Sequence, residues 1–179
     1  LIRWGIIGVG NVCETKSGPG FYKNPNSQLL AVMRRDAKKA RDYATRHQVP
    51  LWYDNAEALL DNPEIDAIYI ATPPAQHIEY ALAALAAGKH VYIEKPVTLN
   101  AAECITLIAA AERSMQKVCV AHYRRALPLF VEIKKQMHAG VIGTPLIAQI
   151  DMLRPAPANI SQQNWRLSPA ISGGGLFHD

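Results

Sequence analysis

The 179-residue chain has only three cysteines, and Cys13, Cys104 and Cys119 show neither paired nor metal-type spacing. That pattern excludes a disulfide scaffold and reads as free thiols in a reducing compartment. The six histidines are dispersed without ligand spacing, so no metal site is expected. No apolar run approaches the roughly 20 residues of a membrane span, and the start lacks the basic region of a secretory signal. The chain therefore reads as soluble and cytoplasmic, with no membrane partner. Charge of neither sign dominates, the net being +4. The pairs Arg34-Arg35, Lys38-Lys39, Arg124-Arg125 and Lys134-Lys135 are scattered and lack interleaved aromatics. They read as solvated surface and exclude a nucleic-acid track. Internal repeats and low-complexity tracts are lacking as well. An initiator methionine is missing, and Asp179 follows closely on a glycine triplet, which is what a fragment of a longer protein would show.

What is present is ordinary globular material, 49% hydrophobic and 19% charged, enough for one core and part of another. Apolar runs alternate with helical patterns. Strands are expected at Ile2 to Ile7, Leu29 to Met33, Leu51 to Tyr53, Asp66 to Ala71, Val91 to Ile93 and Val118 to Ala121. Helices are expected at Asp36 to His47, Ala56 to Leu60, Ala75 to Ala87 and Asn100 to Met115. Gly88 supplies a C-terminal stop, and Asn100 with Glu103 a capping box. Strand and helix in alternation predict an α/β fold, a doubly wound parallel sheet spanning residues 1–121. From residue 122 the pattern changes: a helix is expected at Leu129 to Gly140 and a longer strand at Thr144 to Leu153. Residues 122–179 read as the start of a second domain.

The first strand runs into Gly8-Val9-Gly10, the opening of a G-x-G-x-x-G turn. Gly8 permits the sharp turn, Gly10 lets backbone N–H groups approach a diphosphate, and the helix N-terminus adds partial positive charge. Cys13 stands where the third glycine would, as a packing residue. Gly18-Pro19-Gly20 should limit the first helix to little more than a turn, leaving Lys16 and Ser17 near a bound coenzyme. An NAD site usually has a carboxylate ending the second strand, about 20 residues beyond the loop. Here Arg34 stands in that place. A guanidinium there suits a 2′-phosphate, with Arg35 stacking on the adenine, so NADP is expected and NAD remains possible. Asp36 either takes the carboxylate role after a shift of two or caps the next helix.

The remaining strand ends read Ala71-Thr72-Pro73-Pro74-Ala75-Gln76-His77 and Tyr92-Ile93-Glu94-Lys95-Pro96. Together G-V-G-N-V, A-T-P-P-x-x-H, A-G-K-H-V-x-x-E-K-P and the late G-G-G-x-x-x-D resemble the Gfo/Idh/MocA family. These NAD(P)-dependent oxidoreductases act on sugars, inositols and related polyols. The resemblance implies a Rossmann domain followed by an α+β domain with a mostly antiparallel sheet, which often forms the interface of a homo-oligomer. It also implies that Gly8, Gly10, Asn11 and Val12 line the diphosphate, and that Thr72, Pro73 and His77 border the ribose and nicotinamide side. Glu94 would contact the nicotinamide ribose. Lys95 would position the reacting hydroxyl and relay its proton. Trp165-Arg166 would reach over the coenzyme, and Asp179 would stand beside the substrate.

The family's acid–base histidine lies four residues beyond that aspartate and cannot be assigned, since the sequence stops at Asp179; His178 precedes the aspartate and is not its equivalent. His122-Tyr123-Arg124-Arg125 follows the sixth strand, where Tyr123 could bind a polyol and Arg125 an acidic substrate, with Lys16 as a further contact. A helix-entry surface is the alternative reading of that stretch. Two rival functions stay open: a Rossmann methyltransferase, which would want an acid at Arg34 and leaves E-K-P unexplained, and a non-catalytic or truncated NADP-binding protein.

Overall fold

The structure is a computed structural model that describes residues 1–151, 153 and 164–174. Two compact units result: residues 1–121 together with the described residues from Trp165 on, and residues 122–164.

The first unit is built on six parallel strands, β1 (Ile2–Ile7), β2 (Ser27–Met33), β3 (Leu51–Tyr53), β4 (Ala67–Ile70), β5 (His90–Ile93) and β6 (Val118–Val120). Their order across the sheet is β3-β2-β1-β4-β5-β6. Such strands need apolar residues on both faces, because helices cover both. Accordingly β4 is buried at every position and β1 along its C-terminal half. Side chains alternate between two cores. Ile6, Val32 and Tyr69 pack with Cys13, Phe21 and Tyr43. These belong to α1 (Asn11–Thr15), α2 (Gly18–Lys23) and α3 (Ala37–Arg46). Ile7, Met33, Ile70 and Ile93 pack instead with Leu59, Ala81, Leu85 and Leu107. Those belong to α4 (Ala56–Leu60), α5 (His77–Ala86) and α6 (Ala101–Ser114).

Helix starts are set locally. The side chains of Asp36, Asn55 and Asn100 accept from the amides of Lys39, Ala58 and Glu103, satisfying N–H groups that a helix leaves without partners. Gly88, at φ +71°, carries the chain out of α5, as its position after the alanine run predicts. The start of that helix differs from expectation: residues Pro74–Gln76 form a 3₁₀ turn before α5 begins at His77. α1 does end after five residues, and Gly18-Pro19-Gly20 then opens α2, with proline in its favoured first turn.

In the second unit α7 (Pro128–His138) lies close to its expected span. The strand expected at Thr144 to Leu153 is not formed over residues 144–150. A strand needs a hydrogen-bonded neighbour, and among the described residues no strand follows β6. Leu146, Ile147, Ile150 and Leu153 accordingly stand 89–95% exposed. No helix of the described residues is long and apolar enough to cross a membrane.

Candidate functional site

β1 and β4 are neighbours whose connections leave toward opposite faces, so a crevice opens beyond their carboxyl ends. Three loops meet there: Gly8–Gly10 after β1, Thr72–Gln76 after β4, and Glu94–Pro96 after β5.

Gly8 has φ +94°, and a Cβ on it would lie 2.7 Å from Thr72 Cγ2 and 2.9 Å from the Thr72 amide nitrogen. Only glycine lets the first and second loops come this close. The Gly8 and Val9 amides donate to the Met33 carbonyl at 2.9 and 3.2 Å, binding the turn to the end of β2. Gly10 caps α1 without a side chain, and an added Cβ would find only the Gly8 carbonyl oxygen, 3.9 Å away. The space above it is open. Asn11, exposed, and Val12, half-buried, form the first turn, where a helix leaves amides without internal partners. That cradle fits a diphosphate.

Cys13 is fully buried, and burial pushes its thiol up to about 11, so it is a packing residue and no nucleophile at neutral pH. The Tyr43 hydroxyl donates to its carbonyl at 3.0 Å. Lys16 is exposed at the end of α1.

At the end of β2, the Arg34 amide donates to the Tyr53 carbonyl at 3.2 Å, and its guanidinium Nη1 donates to the Val9 carbonyl at 3.1 Å. The cation therefore rests against the glycine loop. Arg35 is exposed. Asp36 caps α3, accepting from the Lys39 amide at 3.2 Å, and that hydrogen bond holds its carboxyl below the usual range. Of the two roles open to Asp36 in the sequence, the structure displays the cap.

The other two loops are tied together by His77. Its Nε2 lies 2.8 Å from the Thr72 carbonyl oxygen and its Nδ1 2.8 Å from that of Pro96. The ring is fully buried and joins the two loops. The reason is the 3₁₀ turn, which places His77 at the first position of α5, inside the fold. Burial lowers its pKa, and a neutral ring donates to one carbonyl only. Thr72 keeps a buried hydroxyl that has no hydrogen-bond partner among the described residues, while Pro73 is half-buried beside it.

Glu94 continues β5 by donating its amide to the Ile70 carbonyl at 2.9 Å. Its Oε1 accepts from the Tyr69 hydroxyl at 2.5 Å and its Oε2 from the Lys95 amide at 3.2 Å. Lys95 is half-buried, and the Lys95–Pro96 peptide is cis. The loops thus bring Gly8, Gly10, Arg34, Thr72, Glu94 and Lys95 to one edge of the sheet.

Trp165 and Arg166 fall in a 3₁₀ turn, with the guanidinium carbon 4.3 Å from the indole ring centre. The short α8 (Pro169–Ser172) that follows packs on the Pro74–Gln76 turn. Asp179 lies outside the described residues. Tyr123 and Arg125 belong to the second unit, in an exposed turn where the Arg124 guanidinium donates to the Tyr123 hydroxyl at 3.4 Å. Sequence reasoning missed Tyr69, hidden in a uniformly apolar strand, and the role of Gly18. Only the interruption of the first helix hinted at the latter.

Residues 2–122 match the model of the Gfo/Idh/MocA family, described as an oxidoreductase family with an NAD-binding Rossmann fold. Oxidoreductase P35 of Formosa agariphila is 52% identical over 181 residues, covering 99% of this chain and 56% of that protein. Inositol 2-dehydrogenase of Acidothermus cellulolyticus is 31% identical over 156 residues, covering 87% and 46%. The crystal structure of a 3-ketoreductase from Actinomadura kijaniata in complex with NADP and TDP-benzene aligns with a TM-score of 0.81 at 25% identity, covering 97% of this chain and 52% of that one. The chain spans about half the length of the relatives it matches. With a parallel sheet in Rossmann order, a glycine cradle at its switch point and a family model matched over two-thirds of its length, the chain belongs to the Gfo/Idh/MocA family of NAD(P)-binding oxidoreductases.

Proposed function

We propose that this chain carries the coenzyme domain of an NADP(H)-dependent oxidoreductase acting on the hydroxyl or carbonyl carbon of a sugar, inositol or related polyol. Bound nicotinamide supplies the hydride acceptor or donor. The protein supplies position and proton handling. Gly8, Gly10, Asn11 and Val12 hold the diphosphate by backbone amides. Arg34 pairs with the 2′-phosphate, and Arg35 stacks on the adenine. Thr72, Pro73 and Glu94 border the nicotinamide half. The Lys95 ammonium orients the substrate oxygen and takes or returns its proton, assistance worth roughly 10²–10⁴ in rate. Trp165 and Arg166 cover the coenzyme, and Asp179 stands beside the substrate. Residues from 122 onward begin the substrate half, in which Tyr123 and Arg125 bind hydroxyl or acidic groups of the substrate. That half also forms the homo-oligomer interface.

The observation that carries the coenzyme choice is the pairing of an Arg34 guanidinium against the glycine loop with an Asp36 carboxylate engaged as a cap. A 2′-phosphate matches the first, and the ribose diol of NAD lacks its usual carboxylate. The relative crystallised with NADP supports the same choice. Titrating the chain with reduced coenzymes and following nicotinamide emission tests it. Arg34→Ala should weaken NADPH by about 1–3 kcal/mol and leave NADH nearly unchanged. Equal losses for both coenzymes would overturn the preference for NADP.

A further inference from the structure

We propose that Tyr69 is a positioning residue for the nicotinamide half of the coenzyme, acting through the Glu94 carboxylate. The proposal rests on the coenzyme reading above.

The register explains why these two side chains meet. β4 and β5 pair Tyr69 with Tyr92 and Ile70 with Ile93. Glu94 comes two residues after Tyr92 and so shares its face of the sheet, diagonal to Tyr69. The Tyr69 ring has nowhere to go. It is fully buried, with ring centres 5.0 Å from Phe21 and 5.4 Å from Tyr92. Its hydroxyl is thereby aimed at the carboxyl end of the strand, where it donates to Glu94 Oε1 at 2.5 Å. The second oxygen accepts the Lys95 amide at 3.2 Å. A carboxylate held at both oxygens has one orientation, whereas an unpinned glutamate at a half-buried strand end would sample several rotamers.

A buried tyrosine needs only some acceptor, and a backbone carbonyl or a water would serve packing equally well. This one uses the charged group of the E-K-P segment instead. Burial, and the Glu94 carboxylate facing it, push the Tyr69 hydroxyl well above the ordinary tyrosine range, so it remains a donor.

The test is a double-mutant cycle in this chain with Tyr69→Phe, Glu94→Ala and both together. Two probes are titrated: NADPH, and adenosine 2′,5′-bisphosphate, which lacks the nicotinamide half. Thermal melting controls for folding, and phenylalanine keeps the ring packing. Tyr69→Phe should weaken NADPH about tenfold, the worth of a hydrogen bond to a charged group. It should leave the bisphosphate unchanged and cost nothing further in the Glu94→Ala background. NADPH binding equal to wild type, the same loss for both probes, or the same loss in both backgrounds would each make Tyr69 structural only and overturn the proposal. If the wild-type chain takes up neither probe, the coenzyme reading itself falls and this proposal with it.

Discussion

At Gly18 the backbone passes so close to α1 that an added Cβ would lie 2.0 Å from the Cys13 carbonyl oxygen and 2.6 Å from the Tyr43 hydroxyl. Neither neighbour can yield, since the two are hydrogen-bonded to each other at 3.0 Å. Gly18→Ala should therefore cost about 1–3 kcal/mol of stability, as overpacking of a tight core does. Gly20, with nothing within 4 Å of its added Cβ, is the control and should tolerate alanine. Urea denaturation of the two variants gives the comparison, and equal stabilities would refute the packing argument. The sequence displayed the interrupted helix but could not supply its purpose. One partner is five residues away and the other 25, joined by folding and by no local pattern. The same holds for His77 and Tyr69. The residue types were visible, but their partners at Thr72, Pro96 and Glu94 depend on which strands are neighbours.

Elements were far more legible, because the signals that start and stop them lie within a turn of the chain. The capping box of α6 is an example. The Asn100 side chain accepts from the Glu103 amide at 3.0 Å, and the Glu103 carboxylate accepts from the Leu99 amide at 2.9 Å. Asn100→Ala should lower stability by about 1 kcal/mol, while Asn100→Asp, which can still accept, should retain most of it. Melting temperatures of the two variants decide the point, and equal losses would mean that the cap contributes little. The stretch from Thr144 to Leu153 shows where legibility ends. Its composition suits a strand, yet strand formation depends on a neighbour that a local pattern does not contain.

Across the first unit, two carboxylates hold distant elements and make the fold sensitive to acid. Glu14 on α1 meets Arg46 at 2.7 Å and His47 at 2.9 Å at the far end of α3. Asp66, before β4, meets Arg3 of β1 at 2.8 Å. The Arg46 guanidinium holds the Glu14 carboxyl down to about 2, and Arg3 holds Asp66 to about 2. A carboxylate with a lowered pKa adds stability above its ordinary value, which for Glu14 is 4.5, and loses that contribution as pH falls toward 2. Glu14→Gln should thus melt below wild type near neutrality, with the gap closing between pH 4.5 and 2. Both partners are partly exposed, so added salt should narrow the gap as well. A gap constant across that range would remove the ion pair from the account.

The three thiols of this protein occupy very different surroundings: Cys119 is exposed, Cys104 half-buried and Cys13 sealed beside the glycine turn. An alkylating reagent would meet the first at once and the last only during moments when the turn comes apart. Cys13 is in that sense a clock fitted to the nucleotide cradle, and its rate of labelling would report how often the cradle opens while the rest of the molecule stays folded.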